Sequence, residues 1–305
     1  MFVCNVRLPL FNMLLNETTK TQINLPKNSS LVNYSVLKQF FCDQPFRSFS
    51  IKHVISGKEY YKVNSKNYCV QQNEFLIVNK HSEGSVVVDS KVDVKGLCID
   101  VSPELISLAV SSVINPQDNV HQSELNTYLN SPDFLECKYD AYSNSTGRFL
   151  NDAAKIFEAN PNHNFSFEKE FYFSLAEKIV NDNLQNFKKF QRIKAVKSTT
   201  KKELLRKLLL AQNLINSNFL NINDINEVAL YCGISEYHFY RLFKHVFQIS
   251  PYQLLLKNKL NYGRQLLGLK THSISQVADM AGFANVASFS KAFKKEFRLN
   301  PSARF

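Results

Sequence analysis

Apolar residues in the last eighty positions recur at helical spacing, and the pattern occurs twice. In the first stretch Ile225, Val228 and Ala229 fall on one face of a two-turn helix. Gly233 follows, then Phe239, Leu242, Phe243 and Val246 line a second helix that Pro251 ends. In the second stretch Ile274, Val277 and Ala278 precede Gly282, and Phe289, Ala292, Phe293 and Phe297 precede Pro301. The offset is 49 residues as far as the glycine and 50 from Phe239 and Phe289 onward, so the two stretches are an internal repeat with one residue added after the turn. Both copies open with the form of a capping box, Asp224-x-x-Glu227 and Ser273-x-x-Gln276, in which the first side chain satisfies an orphan N–H and the fourth reaches back. Glycine just past a helix adopts the left-handed turn that reverses the chain. Each copy is therefore expected to form a helix-turn-helix, whose second helix is shaped to enter a DNA major groove. The competing expectation is two helical hairpins that only pack a core.

Upstream the period changes. The runs SFSIKHVISG, KEYYKVNSKNYCVQQNEFLIVNKH and GSVVVDSKVDVKGLCIDV alternate or are apolar throughout, broken at Gly57, Asn64-Ser65, Asn73-Glu74 and Gly84. Short strands at such close spacing predict a small sandwich or barrel over residues 1–120. That segment ends in a helix, with Ser102 as cap and Pro103 at its first position. Residues 121–195 are predicted to be helical with a loop around EANPNHNFSF. Their stripe of Phe171, Leu175, Ile179, Leu184 and Phe187 is either intramolecular core or a homodimer interface. QRIKAVKSTT, polar and basic, is the linker candidate, and residues 196–305 form the third segment. That segment is expected to open at a third capping box, Thr200-x-x-Glu203. Between the repeats, PYQLLLKNKLNYGRQLL predicts a helix of about 15 residues, ~23 Å long, with Gly263 inside it at a cost of ~1 kcal/mol relative to alanine. Such a strut would carry both modules into successive major grooves if it set them ~34 Å apart.

Charge sharpens the division. From Lys201 onward 15 Lys or Arg stand against 6 Asp or Glu, whereas the residues before it hold 22 against 20. The net charge of +11 therefore sits almost wholly on the repeat, as expected of a phosphate-binding module joined to a near-neutral domain. The six cysteines make no C-x-x-C pair and no zinc spacing, which points to reduced thiols and no metal site. The opening MFVCNVRLPLFNMLLN lacks the form of a signal peptide, and no run approaches the ~18 apolar residues of a membrane span, so the cytoplasm is the expected compartment.

The residues that carry the repeat resemble the AraC/XylS family of bacterial transcription regulators over about 100 positions. The matching runs are Ala229 to Lys244, Ser250 to Gln253, Lys259 to Leu267 and Ile274 to Phe283, and the upstream strands are similar, more loosely, to the cupin-like sensory domain often fused to that family. The resemblance implies an α+β multidomain protein: an N-terminal cupin-like β-barrel with flanking helices, then an all-α domain of two helix-turn-helix modules joined by a linker helix. It implies double-stranded promoter DNA and RNA polymerase as partners, with activation the expected outcome, and no cofactor. The family often has Gly where Gln248 and Arg298 stand, Arg where Lys259 and Lys291 stand, and Ala where Gly263 stands. Lys291 lacks the planar fork that reads guanine bidentately, so the second module is expected to add affinity more than specificity.

Counting from the turn glycines, the base-edge candidates are Glu236, Tyr237, Tyr240 and Arg241 in the first module and Asn285, Val286, Ser288, Ser290 and Lys291 in the second. Arg241 is the guanine candidate, while Asn285 either reads an adenine edge or caps its own helix. His238, Lys244, Lys294 and Lys295 are the phosphate candidates. For the barrel, a metal-dependent enzyme would need an H-x-H start, and His53 and His81 stand alone, so no catalytic role is expected. Two readings stay open there: a sensor for a small-molecule effector, or a domain that only dimerises.

Overall fold

The computed structural model describes residues 13–15, 30–115, 120–159, 169–195 and 197–302. The opening MFVCNVRLPLFNMLLN and the loop around EANPNHNFSF fall for the most part outside the described residues. The chain divides into two compact units, Met1–Lys188 and Lys189–Phe305.

The first unit is built on β7 (Gly84–Val101), which a chain of β-branched residues keeps extended for 18 positions. One edge of β7 pairs antiparallel with β2 (Leu31–Asp43) along its length. Its other edge is shared: residues 84–87 pair with β4 (Lys58–Val63), and residues 95–101 pair with β3 (Phe49–Ser56). Register shifts at Leu37/Gln39 in β2 and Val54/Ser56 in β3 bend the partners where β7 changes neighbours, as bulges do. The sheet curls into a nearly closed barrel in the order β1-β2-β7-β3-β6-β8, with β5 (Lys66–Gln71) hanging from β4. β1 (Met13–Leu15) is parallel to β2 and the other pairings are antiparallel. The β4–β5 hairpin turns at Asn64 and Ser65 with φ of 47° and 67°, which suits a two-residue loop between twisted strands.

Helices flank this sheet. Ser102 caps α1 (Pro103–Val113) by accepting from the Leu105 N–H, as its sequence predicts. α2 (Gln122–Leu129), α3 (Ser145–Ala159) and α4 (Lys169–Arg192) follow. Ring contacts hold the helices in place: Tyr34 of β2 stacks on Phe157 of α3 at 5.7 Å, and the tilted rings of Tyr128 in α2 and Phe187 in α4 lie 5.1 Å apart. Leu175, Ile179 and Phe187 are buried in this way, so that part of the α4 stripe is the chain's own core and is not free to form a homodimer interface. The middle segment also departs from an all-helical expectation. Residues 137–140 form β8, whose pairing extends the sheet beyond β6 (Glu74–Val78). Four residues are too few for their alternation to stand out against helical neighbours.

The second unit is helical: α5 (Ser198–Asn218), α6 (Ile225–Tyr231), α7 (Glu236–Phe247), α8 (Pro251–Leu269), α9 (Ile274–Met280) and α10 (Val286–Phe297). α5 does not start at a Thr200 cap. The N–H groups of Thr200 and Lys201 already bond the carbonyl of Lys197, so Thr200 is helical and unable to act as the flanking residue. α8 is longer than predicted, 19 residues or ~29 Å, because Ser250 and Gln253 form a complete capping box ahead of it and Lys270 closes it in the left-handed conformation.

Gly263 lies on the buried face of α8, and a Cβ there would stand 2.8 Å from Cε2 of Phe289, a ring with no exposed surface. Its absence of a side chain is what lets α10 approach. Gly263→Ala gains ~1 kcal/mol of helix propensity but forces a packed ring aside at ~1–3 kcal/mol. Urea unfolding of the variant is expected to show a net loss of ~1 kcal/mol, and a gain would mean that the Phe289 ring gives way freely.

Candidate nucleic-acid interface

The two copies of the repeat fold alike to the residue. α6 and α9 hold the matching seven-residue windows, and α7 and α10 the matching twelve-residue windows. Capping is similar but not identical. Ser273 and Gln276 close a reciprocal box at α9. At α6 the Asp224 carboxylate accepts from Asn226 instead, and Glu227 donates its N–H to the Asp224 carbonyl, so Asp224 caps the helix but the expected reciprocal box does not form.

Each first helix ends at a glycine in the left-handed region, Gly233 at φ 61° and Gly282 at φ 73°. A lysine from the preceding long helix fastens each turn. Lys207 of α5 donates to the Gly233 carbonyl at 3.0 Å, and Lys259 of α8 donates to the Gly282 carbonyl at 3.4 Å. Burial of its ammonium pushes the Lys259 pKa down. The lysines lie 52 residues apart, outside the aligned core of the repeat, so only the fold shows that they do the same work.

The inner faces of the second helices are rows of phenylalanine. Phe239 and Phe243 have no exposed surface, nor do Phe289 and Phe293, and ring centroids in each pair are 5.4 Å apart. A third ring follows in each helix: Phe247, 4.4 Å from Phe243, and Phe297, 4.6 Å from Phe293. A cation covers that third ring in both copies, Lys189 at 5.3 Å and Arg264 at 5.1 Å. Arg192 also donates to the Val246 carbonyl at 2.8 Å, placing positive charge at the carboxyl end of α7, where the helix dipole favours it.

With the inner face filled, the outer positions are turned to solvent. Glu236, Tyr237, His238, Arg241 and Lys244 are exposed on α7, and Tyr240 is half-buried, its ring edge-on to Phe239. Burial, then the nearby Asp224 and Glu236 carboxylates, raise the Tyr240 pKa, so the phenol stays a neutral hydrogen-bonding group. Val286, Ser288, Lys291, Lys294 and Lys295 are exposed on α10, and Ser290 is half-buried. Asn285 precedes α10 as its cap: its side-chain oxygen accepts from the Ser288 N–H at 2.8 Å. Gln248 and Arg298 end α7 and α10 at φ 60° each, in the conformation for which glycine is the less strained residue.

A feature that motif reading missed lies beside α7. Lys194, His238, Arg241, Lys244 and His245 gather around an open groove of about 660 Å³. Lys194 belongs to the stretch between α4 and α5, read from composition as a mere linker. Its place beside α7 depends on the Arg192 contact, which has no local sequence signal.

No helix among the described residues is long and apolar enough to cross a membrane. Among the described residues Cys42, Cys69, Cys98, Cys137 and Cys232 form no disulfide. His53 is buried and bonded through Nδ1 to the Glu74 carbonyl, and His81 is bonded to the Asn130 carbonyl, so both are held as structural residues.

A family model described as a helix-turn-helix domain matches residues 228–304. The probable transcriptional regulator LumQ of Photobacterium leiognathi is 32% identical over 78 residues, which are 26% of this chain and 32% of LumQ. The chain thus matches about a third of that relative's length. A transcriptional regulator structure from Chromobacterium violaceum, described as having an AraC-type DNA-binding domain, is 31% identical over 32% of this chain and 86% of that one, with a TM-score of 0.30. ToxT of Vibrio cholerae, solved with an unsaturated fatty acid bound, aligns over 92% of this chain and 96% of its own at 13% identity and a TM-score of 0.36.

The two readings of Asn285 separate by substitution. Asn285→Ala is expected to cost the second unit ~1 kcal/mol in urea unfolding, and Asn285→Ser to restore it, because serine supplies the same cap acceptor. Equal stability of the alanine variant would show that the cap does not contribute.

Proposed function

We propose, for a chain whose C-terminal region is an AraC-type helix-turn-helix domain, that it regulates transcription by reading a two-part site in double-stranded promoter DNA. The observation that carries this reading is the doubled geometry: two helices, each backed by a buried pair of phenylalanines, each presenting an exposed polar and basic outer face. A hairpin that only packed a core would have no need to keep Arg241, Lys244, Lys291, Lys294 and Lys295 on one outward side of each helix. The strut α8, ~29 Å long, is of the order of one turn of B-DNA, which supports entry of α7 and α10 into successive major grooves.

In this reading Arg241 is the guanine contact, with Tyr237 and Tyr240 beside it as apolar and hydrogen-bonding neighbours. On α10, Val286 offers a methyl contact, and Ser288, Ser290 and Lys291 offer hydrogen bonds. The oxygen of Asn285 is engaged in its cap, which leaves its amide N–H groups for the DNA. Lys244, Lys294 and Lys295 face phosphates, and Lys194, with His238 and His245, extends that track along the groove beside α7. RNA polymerase is the further partner that the family likeness implies, the cytoplasm the compartment, and binding without catalysis the mode of action. The first unit acts as the sensor of a small molecule, a reading supported by the chamber described below rather than by a dimer surface, since much of the α4 stripe is already buried.

Arg241→Ala is expected to cost ~1–3 kcal/mol of DNA affinity and to relax choice at one base pair. Lys244→Ala is expected instead to weaken binding evenly across sequences and to reduce the salt slope by about 1. Titration of both variants against specific and unrelated duplexes over a salt series checks this. An even loss for Arg241→Ala would assign it to phosphate and remove the base contact from the account.

A further inference from the structure

The barrel of the first unit holds a partly open chamber of about 60 Å³. A water-sized group needs ~10–15 Å³ on this measure, so the space suits about five non-hydrogen atoms. Its wall is divided. Leu37, Phe40, Val86, Val88 and Leu97 supply an apolar side, and Asn33, Lys52, Glu59 and Asp100 a polar one.

Among the buried charged side chains of that wall the acids outnumber the bases. Three buried side chains of opposite sign meet there, two of them acids: Glu59 at 6% exposure and Asp100 at 7%, against Lys52 at 4%. The Lys52 ammonium is committed within the wall, donating to the Cys98 sulfur and, at 3.5 Å, to the Pro45 carbonyl. The Tyr61 hydroxyl donates to one oxygen of Glu59, and Ser50 donates to Asp100. Asn33, 2% exposed, has a side-chain oxygen that accepts no hydrogen bond from the described residues. A buried acceptor in that position is expensive to leave unmatched, and a ligand with N–H groups would satisfy it. Burial also raises the Glu59 pKa ahead of the opposing effects of Tyr61 and Lys52. Arg47, exposed to solvent, also lines the chamber.

We propose that this chamber binds a small primary ammonium compound with a short aliphatic body, its N–H groups on Asn33 and Glu59 and its carbon chain against Leu37, Phe40, Val86 and Val88. A carboxylate would instead bring a third anion beside two buried acids. The inference rests on the reading of the first unit as a sensor and specifies the ligand chemistry of that same site.

The test is calorimetric titration of the full chain with n-butylammonium, alongside n-butanol and butyrate as uncharged and anionic matches of similar size. Saturable binding of n-butylammonium alone is expected, weakened about ten-fold or more in Glu59→Gln and in Asn33→Leu. Two variants are used so that a folding defect in one leaves the other informative, with circular dichroism confirming the fold of each. No heat from n-butylammonium, binding of butyrate or n-butanol as tight, or unchanged affinity in both folded variants would overturn the assignment. DNA binding by the same preparation is measured separately: a chain that takes n-butylammonium but no DNA keeps the site and loses the regulatory reading, whereas one that binds DNA but not the amine does the reverse.

Discussion

Two phenylalanines one helical turn apart, with no exposed surface, decide the orientation of each outward-facing helix in this chain. Once Phe239 and Phe243 are packed, every other position on α7 has a determined direction, because side chains on a helix are spaced at 100°. The same holds for Phe289, Phe293 and α10. Burial of such a ring stabilises by ~1.5–3 kcal/mol, while an exposed charge pair contributes ~1 kcal/mol at most. The aromatic face therefore outweighs the basic one in choosing the packing, and the basic face is free to be selected for what it meets outside. The turn glycines, each fastened by a lysine from the helix before, then hold the angle at which that face is presented.

Much of this was legible in the sequence because its causes are local. A repeat with an offset of 49 then 50 announces two copies of one unit, and serine or asparagine ahead of an apolar period announces a helix start. Ser102, Ser273 and Asn285 act as caps in the fold, and the turn glycines have the positive φ their positions require. Local reasoning failed where competition was decided elsewhere. Thr200 has the form of a cap, yet α5 begins earlier, and Asp224 finds Asn226 before Glu227 closes the box. β8 is four residues long and exists because β6 offers it an edge. Lys194 joins α7 through the contacts of its neighbour Arg192, and Gly263 is explained only by the distant Phe289.

The chamber in the barrel was the least legible feature. Asn33, Lys52, Glu59 and Asp100 come from four strands, and no spacing among them hints that they share a wall. Their meeting follows from β7 changing partners along its length, which folds one sheet back toward itself. The two units thus embody two kinds of information. The second repeats a local grammar whose outward face is chemically plain, and the first assembles a polar interior from residues that individually look like ordinary strand positions.

The central claim is that α7 and α10 read two blocks of sequence on one duplex. Selection of bound molecules from randomised duplex DNA by the full chain, at a single salt concentration, tests it most directly. The account predicts enrichment of two short blocks about one helical turn apart, ~10 base pairs, with the block assigned to α7 the better defined. Recovery of DNA with no enriched sequence, through binding that merely weakens with salt, would contradict it and leave a nonspecific DNA-coating protein in its place.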